Sequence, residues 1–388
     1  MLRRWMLAAC GAALVGTAAL AATRGVSDNE IVIGTYTDLS GVTAVWGVNN
    51  SNAIRMAFDE QNSKGGVNGR KIRYIVEDNQ YQVPRSVQAA NKLINRDGVF
   101  LMIANGGTPM NNATLPDQIE KGVPNMFPLT AARSMYEPYH TLKFGQFASY
   151  YDQMRAGVKV FVGQRGKKRP CAMWQDTDFG RDNMAGVNDQ LKASGVTLAA
   201  ETTHKPTDTD FSASISKLRD ANCDVIFMAT IVRDANQIIA AARKIGWTVD
   251  MMGASASYDS AVAEVPGGAN EGFYTMTPVL FAYPDDSRPA VQAFAKEYKA
   301  KFGRDPNFAA EVGYSAAQVV LIGLERAGRD LTMNSFLEGM ETVKNFQDIF
   351  GAPPVTFGPQ VRHGSTQSYL TVVHNGRWEP VTKQPIGY

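Results

Sequence analysis

From Glu30 onward, short apolar runs of strand length alternate with longer stretches in which apolar residues return every three or four positions. The runs predict strands over 30–36, 71–76, 99–104 and 123–127, with an extended stretch over 139–147. Between them, helical spacing is clear over 49–61, where Ile54, Ala57 and Phe58 share a face, and over 85–97. A second block of alternation starts at Arg169, with strands over 171–175, 196–203, 224–231 and 251–255 and helices over 182–193, 211–221 and 235–245. Two apolar helices over 289–302 and 312–327 follow, then a hairpin over 367–381 that turns on Asn375 and Gly376. Alternation of this kind predicts the α/β class, with one doubly wound parallel sheet per block.

One stretch organises the first block. The apolar run 99–104 ends in Gly106, Gly107, Thr108 and Pro109, and after a helical interval a second run ends in Pro128, Leu129 and Thr130. In a parallel sheet both loops open on the carboxyl edge, where open α/β sheets hold ligands. Gly106 and Gly107 let a backbone approach a ligand closely, and Thr108 and Thr130 each bring a hydroxyl. The same residue types are also ordinary turn punctuation, and residue type alone leaves the two readings even.

A chain of 388 residues has room for two domains. Its net charge of +2, with both signs mixed along the chain, forms no basic stripe and excludes a nucleic-acid partner. Arg3 and Arg4 precede an apolar run ending in Ala19-Leu-Ala21, which reads as a secretory signal over 1–22 with cleavage near Ala22. Cys10 is expected to leave with it, and the mature protein to be periplasmic. No later run is long and apolar enough to cross a bilayer. His140, His204, His363 and His374 are scattered without metal-ligand spacing, and no nucleotide or hydrolase fingerprint is present. Ser214-Ile-Ser-Lys217 matches a Ser-x-x-Lys pattern, but Phe211, Ile215 and Leu218 form the buried stripe there and leave the match on an exposed polar face. No enzyme activity, cofactor or metal is expected.

The segments Ile31-Val-Ile-Gly-Thr-Tyr-Thr-Asp-Leu-Ser-Gly41, Lys64-Gly-Gly-Val-Asn-Gly-Arg-Lys-Ile72, Glu77-Asp78-Asn79, Phe211-Ser-Ala-Ser-Ile-Ser-Lys-Leu218 and Gly313-Tyr-Ser-Ala-Ala317 follow one another in a telling order. In that order and spacing the chain resembles the leucine/isoleucine/valine-binding type of periplasmic solute-binding protein. The resemblance implies a type I periplasmic binding fold whose two lobes are joined by three crossovers, near Gln146, Thr277 and Phe357. The lobes would be 28–146 with 278–356, and 147–277 with 357–388.

It also implies a site. Backbone N–H groups and hydroxyls at Gly107, Thr108, Thr130 and Ala131 would hold a ligand carboxylate, with Trp46 and Phe179 as aromatic walls and Ile231 in place of an expected aromatic. An aromatic in a loop is more often packing than pocket, and the resemblance tips both rings toward the site. Arg233, two residues beyond Ile231, and Ser255 are expected among the ligand-binding residues as well. Family members that bind amino acids carry a glutamate just after a glycine of the second lobe; Gly253-Ala-Ser-Ala-Ser-Tyr258 has none, and Ser255 stands in that run. A buried ammonium without an anion is costly. The expected ligand is therefore a small hydrophobic or aromatic carboxylate, with a branched-chain amino acid or amide-like compound as the alternative. Expected partners are an inner-membrane permease and its ATPase, with the binding protein a monomer; a sensory ligand-binding subunit is the other role that shares this fold. Cys171 opens the first strand of the second block and Cys223 precedes its third, which are neighbours in a doubly wound sheet; a disulfide and two buried thiols are both open.

Overall fold

The computed structural model describes residues 23–388, so the signal expected over 1–22 and Cys10 within it lie outside the described residues. The first block runs β1 (Glu30–Thr37), α1 (Ala44–Ser63), β2 (Lys71–Asp78), α2 (Val83–Asn91), β3 (Leu101–Ile103), α3 (Thr108–Glu120), β4 (Asn125–Met126) and β5 (Lys143–Phe144). Its strands form one parallel sheet in the order β2-β1-β3-β4-β5. The second block runs α4 (Tyr150–Val158), β6 (Pro170–Gln175), α5 (Asp178–Ala193), β7 (Ala200–His204), α6 (Ser212–Asp220), β8 (Val225–Ala229), α7 (Val232–Lys244), β9 (Asp250–Gly253), α8 (Ser260–Ala263) and β10 (Tyr274–Thr277). After α9 (Pro289–Phe302), α10 (Phe308–Ala327) and α11 (Met333–Glu341), the hairpin β11 (Tyr369–His374) and β12 (Arg377–Pro380) completes the second sheet, ordered β12-β11-β10-β9-β8-β6-β7.

Residue type explains the layers. All five residues of β8, Val-Ile-Phe-Met-Ala, are buried, as a central parallel strand covered on both faces requires. The hairpin turns on Asn375 and Gly376, both at positive φ (51° and 72°). Helices α10 and α11 return to the first sheet, where Val320, Phe336 and Met340 pack with Ile31, Ile33 and Phe100, the Phe100 and Phe336 rings meeting edge to face at 5.4 Å. The chain thus passes between the lobes after β5, after β10 and before β11. Up to Gly364 it still bonds to the first sheet's edge, since Gly145 donates to Arg362 and Gly364 to Gly145.

Two differences from the sequence reading bear on the site, and the disulfide left open is formed. α1 begins at Ala44 and α5 at Asp178, each several residues early, so Trp46 and Phe179 sit in first helical turns rather than in loops. α4 falls in a stretch left unassigned; its capping box of Ser149 and Asp152 is buried, and buried polar residues hide the apolar period. Cys171 and Cys223 are bridged, with Cα atoms 5.8 Å apart across neighbouring strands β6 and β8.

Candidate functional site

The parallel strands of the first sheet deliver their carboxyl ends to one edge, and there the backbone is unusual. Gln80 and Tyr81 after β2, Ala104 after β3 and Phe127 after β4 all have φ between 50° and 54°. A side chain in that left-handed region costs about 1–2 kcal/mol per residue, so neighbouring contacts must hold the turns. At Gln80 and Tyr81 the N–H groups are held by Asp78 Oδ1 (2.9 Å) and Asn79 Oδ1 (3.0 Å), and beside Ala104 three buried asparagines brace the turn. Asn111 Nδ2 donates to the carbonyls of Asn105 (2.9 Å) and Gly107 (2.8 Å), Asn105 Nδ2 donates to Asn125 Oδ1 (3.0 Å), and Asn125 Nδ2 donates to Asn111 Oδ1 (3.3 Å). Gly107 has φ 87°, and a Cβ there would stand 2.8 Å from Met110 Sδ and 3.1 Å from a Tyr81 ring carbon. Gly106 is required for a different reason than close approach to a ligand: its Cβ would press on Thr37 Oγ1 of β1, at 2.8 Å.

Between the lobes these loops bound a chamber of about 560 Å³, measured out to its mouth. On one side are Thr108 and Thr130, whose hydroxyls hydrogen-bond each other at 2.6 Å. Trp46, Tyr81, Tyr150, Phe179 and Ile231 supply apolar walls, with Tyr150 and Phe179 edge to face at 5.0 Å. The first turns of α3 and α7 reach the chamber from opposite lobes, at Thr108 and Val232. First-turn amides have no carbonyl of their own helix to bond, so both ends present N–H groups and positive potential. Among the described residues no Lys, Arg or His lines this chamber, and its one acid is Asp38. Both Asp38 oxygens are engaged by its own loop: Oδ1 accepts from the N–H of Ser40 (3.2 Å) and Gly41 (2.6 Å), Oδ2 from the N–H and hydroxyl of Thr43 (2.8 Å each). Burial pushes the Tyr150 phenol up to about 12 and raises Tyr81 further, so both rings enter the site neutral.

A second chamber of about 630 Å³ adjoins the first and shares Trp46, Leu129, Thr130 and Tyr150 with it. Its lining is Phe127, Met135, Phe147, Pro278, Phe308, Val312 and their neighbours, without a single charged side chain. The amides there are engaged: Gln153 Nε2 donates to the Ala148 carbonyl and Gln153 Oε1 accepts from Ser255 N–H (2.8 Å each), Gln146 Nε2 donates to Ser315 (2.7 Å), and Asn50 Nδ2 donates to the Ala309 carbonyl (2.9 Å).

Of the residues expected from sequence, Trp46, Gly107, Thr108, Thr130, Phe179 and Ile231 meet at the first chamber, and Ala131 and Ser255 line the second. Arg233 lines neither, which corrects its expected place in the cleft: its guanidinium donates to Asp234 Oδ1 and to the Pro206 carbonyl (2.7 Å each). Asp234 is fully buried beside His204 and draws Arg233 round the helix, away from the opening. Sequence reading missed Tyr81, Tyr150 and Ala256. The loop after β2 opens on the same edge as the loops already singled out, and that parity was the available signal for Tyr81; Tyr150 sits on the unrecognised α4, and Ala256 on a 3₁₀ turn over Ser255–Ser257.

A family model described as periplasmic binding protein matches residues 30–377. The leucine-, isoleucine-, valine-, threonine- and alanine-binding protein of Pseudomonas aeruginosa is 24% identical over 310 residues, covering 79% of this chain and 81% of that protein. Among solved structures, a fatty acid ABC transporter substrate-binding protein from Thermomonospora curvata superposes with a TM-score of 0.85 at 23% identity, covering 94% of each chain. A branched-chain amino acid ABC transporter structure from Thermus thermophilus with bound valine superposes with a TM-score of 0.83 at 18% identity, covering 92% of this chain and 96% of that one. At these identities the two structures speak for the fold alone.

Proposed function

The chain belongs to the periplasmic binding protein family, and from that premise we propose that it is the extracytoplasmic binding component of an ABC importer that captures a hydrophobic or aromatic carboxylate. The observation that carries this reading is the first chamber: two helix N-termini and a hydroxyl pair converge on it, and its only acid is saturated by its own loop. Such a site favours an anion and offers an ammonium group no free carboxylate, only hydroxyl oxygens. The lobes, expected over 28–146 with 278–356 and over 147–277 with 357–388 but with the last crossover moved beyond Gly364 by its bond to Gly145, would close over the bound ligand about the three crossovers, and the closed form would dock on a permease served by an ATPase. Export to the periplasm under the signal over 1–22 belongs to the same reading. Catalysis is no part of this reading.

A second reading, binding of a branched-chain amino acid, is favoured by the names of its relatives. Calorimetric titration of the mature protein separates the two. Binding of 4-methylpentanoate or phenylacetate tighter than leucine or valine supports the carboxylate reading; tight leucine or valine binding with no response to acids lacking the amino group overturns it.

A further inference from the structure

The second chamber has no use in a ligand as small as leucine, yet only four residues separate it from the first. We propose that the cleft is a two-chamber site for a medium-chain carboxylic acid, whose head lies in the first chamber and whose hydrocarbon tail passes between Trp46 and Tyr150 into the second. The inference rests on the carboxylate reading above and narrows it to a class of chain length.

Three observations carry it. The first is continuity, because Trp46, Leu129, Thr130 and Tyr150 face both spaces and the indole of Trp46 packs at 5.3 Å on Phe308, itself a wall of the second. The second is chemistry. Among the described residues no charged group lines the second chamber, and Gln146, Gln153 and Asn50 each already spend an amide hydrogen on a protein acceptor, so a polar tail entering there would find few partners in exchange for its water. The third is polarity along the path: the Thr108 hydroxyl and the start of α3, whose first turn carries no acid, line only the first chamber, whereas α4 and α10, which begin at the second, carry Asp152 and Glu311 in their first turns, and this orients a chain with its carboxylate in the first chamber and its methyl end in the second.

The test is calorimetric titration with straight-chain acids from butanoate to dodecanoate, on the mature wild-type protein and on Val312→Phe, which adds a ring to the far wall. Affinity is expected to rise by about fourfold per added methylene well beyond hexanoate. Val312→Phe is expected to weaken decanoate at least tenfold and butanoate less than twofold. Should that variant fail to fold, 10-hydroxydecanoate on wild type asks the same question, and at least tenfold weaker binding than decanoate is expected. Acid binding whose affinity levels off by hexanoate, or is indifferent to the terminal hydroxyl, or falls equally for all lengths in Val312→Phe, overturns the second chamber as a tail site and leaves the carboxylate reading standing. Leucine binding with no response to any acid overturns both.

Discussion

Glu311 Oε1 accepts the backbone N–H of Ala282 at 2.7 Å, which ties the first turn of α10 to the segment leaving β10. Glu311 is fully buried, its second carboxyl oxygen has no partner, and burial, seconded by Asp348 and Asp259, pushes its pKa up to about 8 against the pull of the Ala282 N–H and Arg288. Asp259, also buried, is raised to about 6. A raised acid binds its proton more tightly folded than unfolded. Its stabilisation is therefore complete below the unfolded value of 4.5 and is lost as pH rises through about 8. His363 and His140, lowered by burial, act oppositely below their ordinary 6.5, and Asp348 and Asp182 are raised by burial in the same sense as Glu311, so the interval from 6.5 to 8 lies above the histidines and a Glu311 variant assigns the slope. Urea unfolding is expected to show stability falling with rising pH across that interval, by up to about 1.4 kcal/mol per pH unit. Glu311→Gln, which keeps the acceptor for Ala282, is expected to flatten the profile. An unchanged slope in the variant would place the titration elsewhere.

The hydroxyls of Thr108 and Thr130, 2.6 Å apart, leave one proton to donate outward once the pair has bonded internally. A hydrogen bond to a charged acceptor is worth roughly 1.5–3 kcal/mol. Thr108→Val keeps the shape and removes the donor, so affinity for the bound carboxylate is expected to fall about ten- to a hundredfold with the melting temperature of the free protein nearly unchanged. Isothermal calorimetry and a thermal scan on the same preparation decide it.

Asn111 serves the site without lining it. Truncation to Ala takes one of two hydrogen bonds from the carbonyls of Asn105 and Gly107, which keep the backbone N–H groups of Leu129 and of residue 111, and leaves one Asn125 amide hydrogen without its Asn111 acceptor in a region closed to solvent. The expected cost is about 2–4 kcal/mol in stability, and affinity falls with it, because the left-handed turn at Ala104 loses its brace and Thr108 its position. Asn111→Ala matching wild type in both denaturant midpoint and affinity would refute that role.

These residues also mark how far the sequence could be read. The buried run of β8, the Asn375-Gly376 turn and the glycine and threonine loops after β3 and β4 each carry their signal locally, through period, φ preference or residue size. The asparagine network does not, because its members meet from strands and a helix up to 20 residues apart and each looks like a loop residue in isolation. The second chamber is less legible still: Trp46, Met135, Gln153, Ser255, Pro278 and Val312 come from separate segments, and no spacing within one segment foretells a cavity between them. Arg233 misled because a cation close to the opening in sequence looks like an anion ligand, while its buried neighbour Asp234 had already claimed it.

The Cys171–Cys223 bridge closes a loop of 52 residues and holds β6 to the turn before β8. A cross-link of that span removes roughly 4 kcal/mol of unfolded-state entropy as an upper figure, and 2–4 kcal/mol is the usual loss. Alkylation of the unfolded, unreduced mature protein is expected to find no free thiol. The double Cys171→Ala, Cys223→Ala variant is expected to unfold at lower denaturant yet bind ligand with unchanged affinity, because neither cysteine lines either chamber.

The absent acid can be put back to test the ligand class directly. Sequence alone placed it at Ser255, but Ser255 lines the second chamber and its N–H is held by Gln153; the next residue, Ala256, lines the first. A carboxylate at Ala256 would share that space with the ligand's head. It would repel a simple acid and, having no cation of its own, attract an ammonium. Ala256→Asp is therefore expected to weaken hexanoate at least tenfold while strengthening its 2-amino counterpart by a similar factor, with the gain lost below pH 5 as the new carboxyl protonates. Differential scanning of the variant with each ligand separates this from a folding defect, since a folded protein that still binds either one melts higher in its presence. If both ligands weaken in parallel, the residue at 256 does not face the charged end of the ligand, and the amino group is excluded by some other contact.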